Sequence, residues 1–176
     1  MDASALEIPA LVAAYLGAPA RLRHAIADLT PAELQRSPAS GQWSIHEIVV
    51  HLCDTEIPGA HRIMKAIAEP GSLLTAYDQT AFASELQYRR RDLTTALQAF
   101  ETLRRATTDL LRRIPADAWV RSARHEEAGE MTARALVARL VDHSERHLTQ
   151  IGRLREWLGK PAAGPDDEFD ESLSDA

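Results

Sequence analysis

The stretch from Thr132 to Leu158, TARALVARLVDHSERHLTQIGRLREWL, decides the fold class. Thr132 is a helix-capping residue, and Gly159-Lys160-Pro161 supplies a stop signal just beyond the end. Between them Leu136, His143, His147, Gln150 and Leu154 share one face, which the leucines mark as inward. The two histidines are four residues apart, so they sit one turn apart on that face, close enough to grip one ion. Two imidazoles buried side by side without partners are costly to hold, and a metal removes the cost by using both lone pairs. Spacing alone also admits a surface or capping pair, and both readings stay open at this point.

The rest of the chain reads as helices built to pack on this one. A first helix is expected from about Ile8 to Asp28, carrying Leu11, Val12, Tyr15, Leu16, Leu22 and Ile26 in one helical phase, with a kink at Gly17 and Pro19. Thr30-Pro31-Ala32-Glu33 is a cap, a first-turn proline and a capping glutamate; it starts a short helix that Pro38 and Gly41 end. Ser44-Ile45-His46-Glu47 is a second capping box and opens a helix running to about Ala68, with a bend at Pro58-Gly59. A third long segment covers Asp78 to Arg113, broken near Arg91-Asp92, and a loop through Arg121, His125 and Gly129 leads to Thr132. No segment shows strand alternation flanked by turn chemistry. The order long helix, small helix, long helix occurs twice, a weak internal echo. The expected fold is all-α: a four-helix bundle with a long crossover connection and short accessory helices.

Composition agrees. At 176 residues the chain reads as one domain, with 45% apolar residues but only 5% aromatic ones, so Ala, Leu, Ile and Val must build the core. Every long apolar stretch is broken by charge, no export signal opens the chain, and the single cysteine, Cys53, reads as core in a reducing compartment. Cytoplasmic location and no membrane contact are the expectations. The net charge of −6 is local: six acidic residues fall between Asp166 and Asp175. Removing them from 26 leaves 20, matching the 20 basic residues. This divides the chain into a balanced domain, 1–161, and an acidic tail, 162–176, expected to be dispensable for folding. No basic surplus exists for nucleic acid, and Arg89-Arg90-Arg91 reads as a solvated helix face.

His51 is the natural third ligand. Ile48, Thr55 and Arg62 lie on its side of the helix, and a bundle can bring that helix against the one bearing His143 and His147. Three protein ligands with an open position form the pattern of a catalytic rather than a structural metal site. His24 and His46 read as ordinary surface residues, and His61 has no evident partner.

Several of these residues, taken together, resemble a known family. Trp43-Ser44, Glu47, His51-Leu52, Asp54 and Glu56 are similar to the first signature of the DinB-like (YfiT-like) metalloprotein superfamily, and His143, His147, Gln150 and Ile151 to its second. Trp119, Arg121, His125 and Gly129 resemble its linker, and Tyr77-Asp78, Arg104, Leu154, Leu158, Gly159 and Pro161 also fit. The resemblance spans Ile8 to Pro161, and departs from the pattern at Ala123, where glycine is common, and Cys53, where alanine is. It implies a four-helix bundle, often a homodimer, with one divalent ion on His51, His143 and His147. It also implies chemistry ranging from thiol-dependent transfer or isomerisation to hydrolysis.

A neutral three-His set leaves the ion's charge uncompensated and wants an anionic fourth ligand. Transfer of a low-molecular-weight thiol ranks first, with Arg62, Arg104 or Arg121 holding carboxylates of the small-molecule substrate and His125 a further substrate contact. Hydrolysis by metal-activated water ranks second, with Asp54 or Glu47 as proton acceptor, although each reads more simply as a ligand's partner or a helix cap. A metal-binding or stress protein without turnover ranks third. Gln150 is expected to support a ligand. Zinc or nickel is the expected ion, with iron or manganese also compatible with imidazole. Close packing through Ala133, Ala135 and Ala138 is expected to pair two chains.

Overall fold

A computed structural model of the chain describes residues 2–160. The tail expected at 162–176 lies outside the described residues. Four long helices form the bundle: α1 (Ile8–Ile26), α3 (Ile45–Ala68), α5 (Leu93–Arg113) and α6 (Ala133–Trp157). Two short ones, α2 (Pro31–Leu34) and α4 (Gln79–Glu85), lie in the connections. α3 packs on α5 and α6, and α1 packs on the same two, so α1 stands diagonally across the bundle from α3.

The caps read from sequence form as expected. Thr30 with Glu33 and Ser44 with Glu47 each make both bonds of a capping box, and Thr132 caps α6; Asp92, which the sequence marked only as a break, caps α5. The break near Arg91-Asp92 is real. Gln87 takes a left-handed conformation, a 3-10 turn covers Tyr88–Arg90, and α5 then starts afresh on Asp92.

The expectation of no strands is corrected by a small sheet. β1 (Leu73–Leu74) pairs in parallel with β2 (Ser122–His125), which pairs antiparallel with β3 (Gly129–Thr132). The register Ser122↔Thr132 and His125↔Gly129 makes the presumed loop a hairpin, and Gly129, at φ 74°, takes the left-handed conformation that its turn needs. Strands of two to four residues are too short to display a period.

Pro19 lies inside α1, which runs through it as one helix rather than two, as the sequence predicted. A proline in a helix interior frees the carbonyl four residues back, here that of Tyr15. Arg104 Nη1 donates to that oxygen at 2.9 Å. The same guanidinium donates from Nε to Glu56 Oε2 at 2.6 Å and from Nη2 to Ser144 Oγ at 3.0 Å, and Tyr15 donates its hydroxyl to Glu56 Oε1. Residues of α1, α3, α5 and α6 thus meet at one buried polar node. It separates two apolar clusters, one around Leu22, Ile48, Phe100 and Ile151 and the other around Leu11, Ile63, Leu111 and Val137.

Close approach of α3 and α6 depends on Gly59. A Cβ there would stand 2.8 Å from Leu140 Cδ2. Two surface expectations fail for the same reason, burial. Ala133 and Ala138 lie inside the second cluster, so they cannot form a pairing surface, and His46 is buried with its Nδ1 3.0 Å from Gln35 Nε2.

The polar node yields a prediction. Arg104→Met strands the Glu56 carboxylate in the interior and should lower the unfolding free energy by about 3–5 kcal/mol. The double variant Arg104→Met, Glu56→Leu should recover most of that loss, because two matched apolar groups replace a buried pair at little cost. Urea unfolding of both variants measures the difference, and equal losses would contradict the assignment of the node as a paired charge.

Candidate metal centre

His51 lies near the start of α3 and His143 and His147 near the middle of α6, so the contact between α3 and α6 brings them together. His143 Nε2 is 3.1 Å from His51 Nε2 and 3.1 Å from His147 Nε2, and all three ligand atoms lie within 4.8 Å of one another. Nitrogens bound at about 2.0–2.1 Å to one ion stand about 3 Å apart or slightly more, so the set fits a divalent metal. No carboxylate belongs to this group among the described residues.

The surroundings keep the rings neutral and aimed. His51 is 1% exposed and its Nδ1 has no hydrogen-bond partner. Burial, reinforced by His147, pushes its pKa down to about 3. Burial, then His147 and His51, push His143 down to about 2. His147 is also lowered by burial, against an opposing hydrogen bond from Gln150. His147 Nδ1 lies 3.0 Å from Gln150 Oε1, an acceptor that places the proton on Nδ1 and leaves Nε2 with a lone pair for a metal. Trp43, immediately before the cap of α3, closes one side: its ring is 4.7 Å from that of His51 and is stacked on His147 at 6.3 Å.

On the other side a cleft of about 220 Å³ opens beside His143, lined by residues that include Thr55, Arg62, Tyr77, His125, Glu127, Arg139 and Arg146. Tyr77 donates to Thr55 Oγ1 at 3.0 Å, and that oxygen lies 3.4 Å from His51 Nε2. Arg62 and His125 therefore stand where a substrate contact would be needed. His125 Nδ1 accepts from the backbone of Glu127 and Ala128 at 3.2 and 3.3 Å, which ties the hairpin turn to the cleft wall.

Other candidates stand elsewhere. Arg104 is 1% exposed in the core node and reaches no substrate. Arg121 donates to Asp117 and to the Ile67 carbonyl, stitching the chain before the hairpin to α3. Asp54 accepts from Arg91 on both oxygens at 2.6 Å, and Glu47 is held in its capping box. Cys53 is buried, and burial pushes its thiol up to about 11, as befits a core residue. Sequence reasoning passed over Arg139 and Arg146, although their spacing from His143, four and three residues, places them on its face of α6.

Known proteins resemble this chain along most of its length. A candidate metal-dependent hydrolase of Oceanobacillus iheyensis is 25% identical over 142 residues, covering 79% of this chain and 82% of the relative. YfiT of Bacillus subtilis, named in the same way, is 25% identical over 142 residues and covers 80% of each. The solved structure of YfiT, an unusual four-helix bundle, matches with a TM-score of 0.82 at 22% identity, over 88% of this chain and 89% of that one. A mycothiol-dependent maleylpyruvate isomerase shares the fold with a TM-score of 0.68 at 12% identity, over 86% of this chain and 63% of that one. A family model matches residues 14–151, and the chain belongs to the DinB superfamily.

Proposed function

We propose that the chain is a metal-dependent enzyme that holds one divalent ion, nickel or zinc, on His51, His143 and His147 and transfers a low-molecular-weight thiol to a small substrate. The observation that carries this reading is the convergence of three neutral imidazoles, without a carboxylate, at the head of an open cleft. A divalent ion there would supply Lewis acidity, and with no anionic protein ligand it would take an anionic fourth partner, a thiolate in this reading and hydroxide in the second. Gln150 holds the His147 tautomer, and the Trp43 ring lies against His51 and His147 on the side away from the cleft. Thr55 and Tyr77 place hydroxyl groups beside the open position. Asp54 and Glu47 are spoken for by Arg91 and a helix cap, so neither serves as the base that hydrolysis requires. Hydrolysis is the second reading, supported by the names of the relatives and by Glu127, a carboxylate on the cleft wall.

Metal content tests the site. Purified protein should hold about one ion per chain. His51→Ala, His143→Ala and His147→Ala should each lose most of it while keeping helical circular dichroism. His61→Ala, at an exposed position, should retain it. Wild-type metal content in His51→Ala would overturn the three-histidine assignment.

Turnover separates the readings. The nickel- or zinc-loaded protein, given cysteine or glutathione and a halide-bearing bimane, should form a carbon–sulfur bond faster than the solution reaction, with halide departing and the thiol proton passing to solvent. Hydrolysis of a nitrophenyl ester at a rate indifferent to thiol would favour the second reading instead.

Acid should act in a defined direction. In the metal-free chain His51 and His143 remain neutral down to about 3 and about 2, whereas unfolded imidazoles titrate near ~6.5. Below ~6.5 the unfolded chain therefore binds more protons, and stability must fall as pH drops through that window. The metal-free melting temperature should decline from pH 7 to pH 5, whereas the loaded protein, whose folded His51 and His143 take up no proton in that window, should release its ion only on unfolding or at lower pH. A melting temperature flat across that range would contradict buried neutral histidines.

A further inference from the structure

The cleft beside His143 carries more positive charge than the fold uses. Arg139 and Arg146 project from the His143 face of α6, and Arg62 reaches in from α3. Among the described residues none of the three pairs with a carboxylate, although ten other ion pairs form in the same structure. Arg62 is held in place by its bond to the Thr75 carbonyl and by the Tyr77 ring 5.6 Å beneath its guanidinium, an arrangement that leaves most of its five donors for a ligand. The charges also strain one another. Burial lowers the pKa of Arg62 and the charge of Arg139 adds to it; burial, then Arg62 and Arg139, lower His125. Among the described residues Glu127 is the only carboxylate on the cleft wall, and Glu126 is spent on the Ala76 amide at 2.7 Å.

Three guanidinium groups around a cavity, none of them paired with a carboxylate among the described residues, are an anion site in waiting, since like charges gathered there repel until an anion joins them. The cleft, at about 220 Å³, is smaller than the ~300–1,000 Å³ of pockets that take drug-sized ligands. We propose that Arg62, Arg139 and Arg146 bind the carboxylate or phosphate groups of a small, multiply charged organic anion, and so present its uncharged part to the position beside His143. This deepens the metal-site reading and rests on it: the anion is the substrate, and the arginines set its orientation.

Titration calorimetry on the metal-loaded full chain at low salt tests this with succinate and glycerol phosphate as probes and succinamide as the uncharged control. At least one anion should bind, succinamide should not, and binding should weaken as salt is added. Arg139→Gln with Arg146→Gln, at two exposed positions without partners, should raise the dissociation constant at least about tenfold with metal content unchanged. The stronger of succinate and glycerol phosphate then identifies carboxylate or phosphate as the group recognised. Binding of neither anion, or binding undiminished in the double variant, would overturn the proposal, the latter by assigning the anion to the metal alone. Metal content on the same samples separates the two claims. Full metal without arginine-dependent binding removes the anion site and leaves the metal site standing. Arginine-dependent binding in protein that holds no metal removes the metal site and supports the anion cleft.

Discussion

The buried contact of Arg104 with Glu56 fixes the geometry on which the site depends. A charged pair in the interior is stable only when its remaining donors and acceptors are satisfied, and here that demand is met by groups from the other two long helices. Tyr15 gives its hydroxyl and its proline-freed carbonyl, and Ser144 gives its hydroxyl. Such a node tolerates little sliding of α3 against α6. Glu56 lies five residues beyond His51 and Ser144 directly follows His143, so the register set by the node is also the register of the histidines. The small residue at Gly59, facing Leu140, lets the two helices come close enough for the imidazole nitrogens to meet.

Around that frame the site is organised by charge. The neutral ring nitrogens converge with Trp43 on one side, while the opposite side opens into a cleft rich in guanidinium groups. A neutral ligand set and a cationic approach are complementary: the first leaves a bound ion electrophilic, and the second draws anions toward it. Thr55 and Tyr77, hydrogen-bonded to each other, line the cleft, with the Thr55 hydroxyl 3.4 Å from His51 Nε2.

What could be read from sequence followed the strength of local signals. The capping boxes at Thr30 and Ser44 and the single-residue cap Thr132 are encoded within four residues, and the helices begin where those signals stand. The pairing of His143 with His147 is equally local, and His51 followed from the inward face of its helix. Long-range pairing was another matter. Arg104 looked like a substrate contact because nothing in its own helix reveals that Glu56, 48 residues away, waits for it in the core. Asp54 and His46 were likewise placed by partners on other segments, Arg91 and Gln35. The sheet escaped notice because its strands are stabilised by pairing across the chain, Leu73 with Arg124, rather than by an internal pattern.

The account stands or falls on whether three imidazoles of one chain share one ion. X-ray absorption at the edge of whichever metal accompanies the protein through a chelator-free purification tests this most directly. The account predicts one ion per chain with a first shell dominated by nitrogen at about 2.0–2.1 Å and the outer-shell scattering of about three imidazole rings. Protein without stoichiometric metal that also fails to take up nickel or zinc would contradict it, as would a shell lacking imidazole.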